Sequence, residues 1–480
     1  MENSTEIKGL GKMKKKLLIA IVLLCAYFIG CSDSDSTSNS VIRGDLARYT
    51  VVVVGTAEGM SDSIMEDTYN GLQPLMESND VRVLFCYKYG TSMSYAGFDP
   101  ETGEDIMRPF TGKYAKPGQF VTFELTKDTD LKKIAKNSVI AADSSQSLYE
   151  PGFLAKVLNY ASDSLPAQNY VLLFYGHGEG FHFAYDYPKD KRDLALVKTQ
   201  LGATAAILPD DWDEDEYVNM YEVRREIEKS AIKHLKAIYF HNCLMGNMES
   251  LSEVYSLADY LVASEHSLAS DGMIIVDFVK ELYKDGDFEN TMKSYLDNTK
   301  DHWMLEYEKE GMNGDLKVLK SSEFEDLFPI FKKVANRLKV LYKDVDQRNN
   351  MKYALNSTYK VEEAERFFVD ALDYVQKLAE KTKDDTLIVA AQELQKAFEK
   401  LIVKKIETHY NKENDIDSFS LSVVFTSKYN MNLDLQQSAR TDFSWGVTNE
   451  ESYKNTIFHK ETGWGDWLNA NEFYVDSSEE

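Results

Sequence analysis

The sequence predicts an α/β fold, a parallel-rich sandwich of strands and helices followed by a mostly helical C-terminal region. Three observations carry this expectation. Tyr49–Val54 and Tyr170–Tyr175 are unbroken apolar runs rich in β-branched and aromatic residues, as in strands covered on both faces. Segments with apolar residues at helical spacing lie between such runs, so strand and helix alternate up to about residue 277. Beyond that point helical periodicity dominates.

Taken in order, the chain opens with a leader. Lys14, Lys15 and Lys16 precede the apolar run Leu17–Ile29, which ends in Gly30-Cys31. A basic start, a short apolar stretch and a small residue before the break describe a secretory signal. The stretch falls short of the ~20 residues of a bilayer-spanning helix. Phe28-Ile29-Gly30-Cys31 resembles a bacterial lipobox, with Phe28 where Leu is more usual. The alternatives are an ordinary signal peptide or an uncleaved anchor. On the lipobox reading residues 1–30 are removed and the Cys31 thiol carries a lipid. Met13 begins a cleaner leader than Met1, because residues 1–12 include Glu2 and Glu6. Several acyl chains at ~0.8 kcal/mol per buried methylene make a stable anchor. Residues 31–46, with SDSDSTSNS at 32–40, read as a flexible tether. The expectation is an exported protein, lipid-anchored in the cell envelope at the outer membrane or cell surface.

A first domain is expected over 47–276. After the strand Tyr49–Val54, Ser63–Glu77 has helical spacing of Ile64, Tyr69, Leu72 and Leu75. Val81–Tyr87 and Phe120–Leu125 read as strands, Phe153–Ala161 as a helix and Tyr170–Tyr175 as a second buried strand. A charged insertion runs from Phe181 to about Tyr217; helix Tyr221–Lys233 and strand Ala237–His241 follow. In the second region, 277–480, helices are expected at Phe278–Asp285, Asn290–Lys300, Glu323–Asp344, Val361–Lys381 and Leu387–Tyr410. One late strand, Phe419–Thr426, is expected to return to the sheet. Trp464–Leu468 reads as a short aromatic helix.

Composition bounds the function. With 480 residues, 43% apolar and 12% aromatic, the chain can bury a large core. A formal net charge of -25 argues against nucleic acid as a partner, because phosphate binding needs basic surface. Of four cysteines two lie in the leader, leaving Cys86 and Cys243, too few for a disulfide framework. Cys86 sits inside a strand and reads as core. The remaining histidines lack metal-ligand spacing, and no P-loop, HExxH or dinucleotide fingerprint occurs.

Two strand ends carry suggestive chemistry. One delivers Gly176-His177-Gly178 and the other Asn242-Cys243. Ligand sites of open α/β sheets gather beyond the carboxyl ends of the strands. A free thiol is only a few per cent thiolate at neutral pH, and a neighbouring imidazole makes it a competent nucleophile. A buried structural cysteine and a structural histidine are the alternative for this pair.

LLFYGHGEGF at 172–181 and YFHNCLMGNME at 239–249 resemble the two signature segments of the clostripain family of cysteine peptidases. The resemblance continues through Asn219–Ile227, Ala258–Gly272, Phe367–Leu378 and Thr462-Gly463-Trp464, in order along nearly the whole mature chain. It implies a caspase-like three-layer α/β/α sandwich. It also implies His177 as general base or ion-pair partner of the thiolate, Cys243 as nucleophile and the N–H groups of Gly178 and Cys243 as oxyanion donors. Relatives commonly cleave after Arg or Lys, and the matching acidic position is Asp271, which otherwise reads as a turn residue before Gly272. The family usually has Asp where His241 stands. His241 then weakens the basic preference, helps lower the thiol's pKa, or is simply packed. Lys189, Lys191, Arg192 and Lys198 in the insertion are candidate self-cleavage points or a solvated face. The acidic run Asp210–Glu216 is a candidate for calcium without an EF-hand pattern; no other cofactor is implied.

The expected function is therefore a cysteine endopeptidase acting on protein or peptide, with preference for basic P1 residues. Two alternatives are a non-catalytic surface lipoprotein that captures peptide or glycan on its aromatic residues, and a degenerate peptidase that keeps only the fold.

Overall fold

The β-branched runs become the centre of an eight-stranded sheet in the computed structural model. It describes residues 46–56, 62–88, 93–99, 104–109, 113–116, 119–140, 152–176, 178, 180, 206–207, 218–268, 273–284, 286–300, 314–361, 368–408, 420–425 and 453–471. The leader with Cys31, the tether, His177, Asp271, the basic residues of the insertion and the acidic run at 210–216 lie outside the described residues.

The strands are β1 (Ala47–Thr56), β2 (Val81–Lys88), β3 (Phe120–Leu125), β4 (Ala167–Tyr175), β5 (Leu235–His241), β6 (Ala258–Ala263), β7 (Asp315–Lys320) and β8 (Ile402–Glu407). Their spatial order is β8-β7-β6-β5-β4-β1-β2-β3. β2, β1, β4, β5 and β6, neighbours in that order, are mutually parallel. β3, β7 and β8 join antiparallel at the flanks.

Period-two alternation sorts the side chains into two cores. Val52, Val54, Leu84, Leu172, Phe174, Ile238 and Phe240 face helices Phe153–Ser164, Met220–Lys229 and Met248–Val254, together with the C-terminal helices. Val51, Val53, Val83, Phe85, Leu173, Tyr175 and Tyr239 face helices Asp62–Leu72, Met273–Leu282 and Phe288–Thr299. These three layers make the expected caspase-like α/β/α sandwich. Phe174 and Phe240 stack at 5.6 Å in the first core. Burying each such side chain stabilises the fold by about 2–3 kcal/mol.

The C-terminal part differs from expectation in three places. The helix expected over Leu387–Tyr410 is Asp385–Leu401 and stops where Ile402-Val403 begins β8. β-branched residues suit the pleated edge that β7 offers there, paired from Leu319↔Ile402 to Asp315↔Glu407. The helix expected over Val361–Lys381 is strand Phe368–Asp370 followed by helix Ala371–Thr382, with Asp370 as N-cap accepting from the Asp373 amide. The late strand exists as Ser422–Val424 but does not return to the main sheet. It pairs with Phe368–Asp370, and its amides reach Gly246 O at 3.0 Å and Glu249 Oε1 at 3.1 Å. β6, β7, whose DLKVLK places charge inside an apolar strand, and the helix Val345–Asn356 are not anticipated by the sequence.

Candidate active site

β4 and β5 are parallel neighbours, paired from Val171↔Ala237 to Tyr175↔His241. Parallel pairing sends both carboxyl ends to the same edge, so Gly176 and Asn242-Cys243 emerge side by side. Gly176 N–H donates to His241 O at 3.4 Å, and Asn242 Nδ2 donates to Gly176 O at 3.1 Å. Gly176 has φ 139°, a conformation that favours glycine.

Gly178 lies directly on the cysteine turn. A Cβ built on it would overlap Cys243 O and lie 2.7 Å from Asn242 Cβ and 2.8 Å from Cys243 N. Only a residue without a side chain permits this approach. Ser250 Oγ is 3.5 Å from Gly180 O, and a Cβ on Gly180 would meet Leu244 O and the Phe368 ring at 3.1 Å. Gly178 and Gly180 are therefore laid against the cysteine turn from Asn242 to Leu244.

The Cys243 side chain is half-buried and forms no disulfide. Leu268 N–H donates to its Sγ at 3.3 Å, and Leu268 O is 3.9 Å from the same sulfur. The next residue, Leu244, is buried with φ 62°, a left-handed conformation that costs an L-residue about 1–2 kcal/mol. Fixed partners offset that strain. Leu244 N–H donates to His266 O at 3.1 Å, and Asn247 Nδ2 donates to Leu244 O at 2.9 Å. Asn247 also caps helix Met248–Val254, accepting from the Ser250 amide at 2.8 Å.

His241 ends β5, so the extended geometry that would align residues two apart does not reach Cys243. Its ring stacks on Tyr175 at 5.0 Å and meets Tyr239 edge-on at 6.0 Å. It is buried on the face of the second core, whereas Cys243 packs against the first. Cys86 is fully buried in β2, accepts a hydrogen bond from Thr122 Oγ1 at 3.4 Å, and burial pushes its thiol up to about 12.

Beneath the cysteine turn lies a buried charge cluster that the sequence reading missed. Asp315 Oδ1 accepts from Ser264 Oγ at 2.7 Å, Glu265 N at 2.9 Å and His266 N at 3.2 Å. Its other oxygen pairs with Lys317, whose Nζ also reaches Glu265 Oε2 at 2.9 Å, with both partners fully buried. Burial pushes Glu265 up to about 8 against the pull of Lys317. Burial also opposes ionisation of Asp315, but Lys317 beside it holds that carboxyl below its ordinary value. Asp-Leu-Lys at the start of an apolar strand, two charges on one face, was the available signal. Among the described residues no group of three or more His, Cys, Asp or Glu is arranged to hold a metal.

The sequence model of the clostripain family matches residues 119–470. The chain belongs to the clostripain family. This clostripain-family protein is thus a cysteine-type peptidase, and its eight-stranded α/β architecture is shared with solved relatives. A secreted C11 cysteine protease from Bacteroides thetaiotaomicron, called iotapain, superposes with a TM-score of 0.53 at 15% identity, covering 87% of this chain and 99% of that one. The same kind of protease from that organism in complex with an irreversible peptide inhibitor gives 0.53 at 14%, covering 88% and 100%. An inactive zymogen C11 protease from Parabacteroides distasonis gives 0.52 at 14%, covering 87% and 99%. At such identities the likeness concerns the fold. No curated protein matches the sequence.

Proposed function

We propose that this clostripain-family chain is a cysteine endopeptidase acting through a His177–Cys243 dyad. The close approach of Gly178 to Cys243 carries the reading, because it sets the loop bearing His177 on the cysteine turn. His177 takes the thiol proton, and the Cys243 sulfur bonds to the scissile carbonyl carbon. The carbonyl π pair moves to oxygen, where the N–H groups of Gly178 and Cys243 receive it. As the tetrahedral species collapses, the C–N bond breaks and the amine leaves with the proton from His177. Water, deprotonated by His177, then cleaves the thioester and regenerates the thiol.

Asp271 is assigned to the P1 pocket, favouring Arg or Lys. His241 in place of the usual Asp removes one negative charge from that neighbourhood, so the basic preference is weaker than with two carboxylates. No metal enters this sequence of steps, and treatment with EDTA is expected to leave the rate unchanged; a loss would bring in Asp210–Glu216. Cys31 is assigned as the lipid-bearing residue of an exported, envelope-anchored protein, and Cys31→Ser is expected to release the protein from membranes. No described helix is long and apolar enough to cross a membrane.

Fluorogenic peptides with Arg, Lys or uncharged P1 residues test the reading beside Cys243→Ala. Cleavage that disappears in Cys243→Ala supports it. Equal inactivity of both proteins under reducing conditions refutes it and favours a binding lipoprotein or a degenerate peptidase. Asp271→Ala is expected to lose the basic preference while retaining residual cleavage.

A further inference from the structure

The loop after β6 is joined to the cysteine turn at three points. Leu244 N–H donates to His266 O, Gly246 N–H donates to Ser264 O, and Leu268 N–H donates to Cys243 Sγ. A Cβ on Gly246 would lie 2.6 Å from the Ser264 carbonyl carbon, so the two backbones are already in closest approach. What shapes that loop is one carboxylate oxygen on the neighbouring strand. Asp315 is the first residue of β7, and β7 runs antiparallel to β6 with Ala263 opposite Lys317. Its side chain therefore reaches just beyond the end of β6, where its Oδ1 gathers Ser264 Oγ and the amides of Glu265 and His266. On the other side of the loop, Tyr359 OH and His266 Nε2 are 3.1 Å apart.

We infer that Asp315 is a positioning residue for the nucleophile: by fixing the turn Ser264–His266 it aims the Leu268 N–H at Cys243 Sγ, where that amide holds the thiolate. The inference rests on Cys243 being the nucleophile of the proposed peptidase. A hydrogen bond to an ionised acceptor is roughly twice as strong as one to a neutral group. The Leu268 amide therefore favours the thiolate over the thiol, which is the direction that makes cysteine reactive. The charge on Asp315 is itself held in place by Lys317, which is buried beside it. Lys317 supports the carboxylate and also reaches the loop side chain of Glu265, whereas the bonds to Ser264 Oγ and to the Glu265 and His266 amides belong to Asp315.

The test is the rate of Cys243 alkylation by iodoacetamide between pH 5 and 9, mapped by peptide mass to separate it from Cys86. Asp315→Ala removes the acceptor for all three donors. Its alkylation midpoint is expected to rise by about one pH unit, which slows labelling about tenfold on the acid side. Asp315→Asn keeps an oxygen where Oδ1 stands and is expected to stay within about threefold of wild type, since the loop bonds survive without the charge. Ser264→Ala removes one of the three donors without leaving a buried ion, and a smaller upward shift is expected even if Asp315→Ala fails to fold. A folded Asp315→Ala or Ser264→Ala with the wild-type curve overturns the inference, and so does an Asn variant as slow as the Ala variant. All variants keep His177 and His241, so the differences read the loop. Alkylation needs no peptide cleavage, so a protein inactive on peptides refutes the peptidase reading while an Asp315-dependent curve still upholds the positioning role.

Discussion

Gly178→Ala isolates the contact on which the catalytic reading depends. The new methyl would overlap Cys243 O and sit 2.8 Å from Cys243 N and 2.7 Å from Asn242 Cβ, against an ordinary contact of 3.4–4 Å. Two of the atoms it meets are backbone and the third is a Cβ fixed to the backbone, so no flexible side chain can swing aside. The two loops must part by at least about 0.6 Å at the Cys243 amide. Displacement of about 1 Å at a reacting centre costs about a hundredfold in rate. A loss of ten- to a hundredfold in kcat/KM is therefore expected, or about 1.4–2.7 kcal/mol of transition-state stabilisation. Because the methyl separates the loop bearing His177 from the sulfur, the loss should fall on kcat, with KM little changed. The assay is steady-state cleavage of a fluorogenic Arg or Lys peptide, with circular dichroism confirming the fold. A folded Gly178→Ala enzyme within twofold of wild-type kcat/KM would refute the juxtaposition of the two loops as the basis of activity.

Glu249, the second residue of the helix after the nucleophile, accepts from Tyr453 OH at 2.6 Å, while burial pushes its carboxyl up to about 7 from an ordinary 4.5. The folded state thus holds that proton more tightly. The stability it contributes is full below pH ~4.5, falls as pH rises toward 7 and is flat above, a change of up to about 3 kcal/mol. Glu249→Gln removes the titration, so its melting temperature should gain on the parent between pH 5 and 8, measured in a Cys243→Ala background; a constant difference would contradict this. Trp464 is fully buried, donates from Nε1 to Val424 O at 2.6 Å and meets Phe331 edge-on at 5.6 Å. Trp464→Ala is expected to cost about 3–5 kcal/mol, seen as a large drop in thermal midpoint. Iodoacetamide at pH 8 is expected to label Cys243 and spare Cys86 until the protein unfolds, because burial keeps the Cys86 thiol protonated.

The central sheet was readable because its strands are buried on both faces. Val51–Val54 and Val171–Phe174 advertise that burial as uninterrupted apolar runs, and the glycines around His177 and the turn after Phe240 mark where they end. The flanking strands carry a weaker signal. In β8 Lys404 and Lys405 interrupt the apolar pattern, so the preceding helical period reads straight through them; only pairing with β7 makes the segment a strand. Ser422–Val424 is short enough that nothing local chooses its partner. The same limit applies at the site. Cys243 announces itself by position, whereas the contribution of Leu268 is a main-chain N–H that any residue but proline would provide. Asp315 lies 72 residues beyond the cysteine, and a charged strand start reads as surface until the neighbouring loop folds over it.

The position of β7 within the sheet sets a timetable for the growing chain. It becomes an interior strand only when β8 pairs with it, Asp315 opposite Glu407, and Gly314 is tied to Thr408 on both sides of its peptide. Pairings so distant in sequence form late, since the intervening chain must close a long loop first. A ribosome that has made the histidine and cysteine segments has therefore not yet supplied the strand that anchors the wall behind the sulfur. Until residue 320 is in place the edge of β6 stands open, and until residue 408 that of β7; a fragment ending near 276 would carry the reactive residues together with an unpaired strand prone to self-association. The thiol is held in its working geometry only once synthesis has moved well past it.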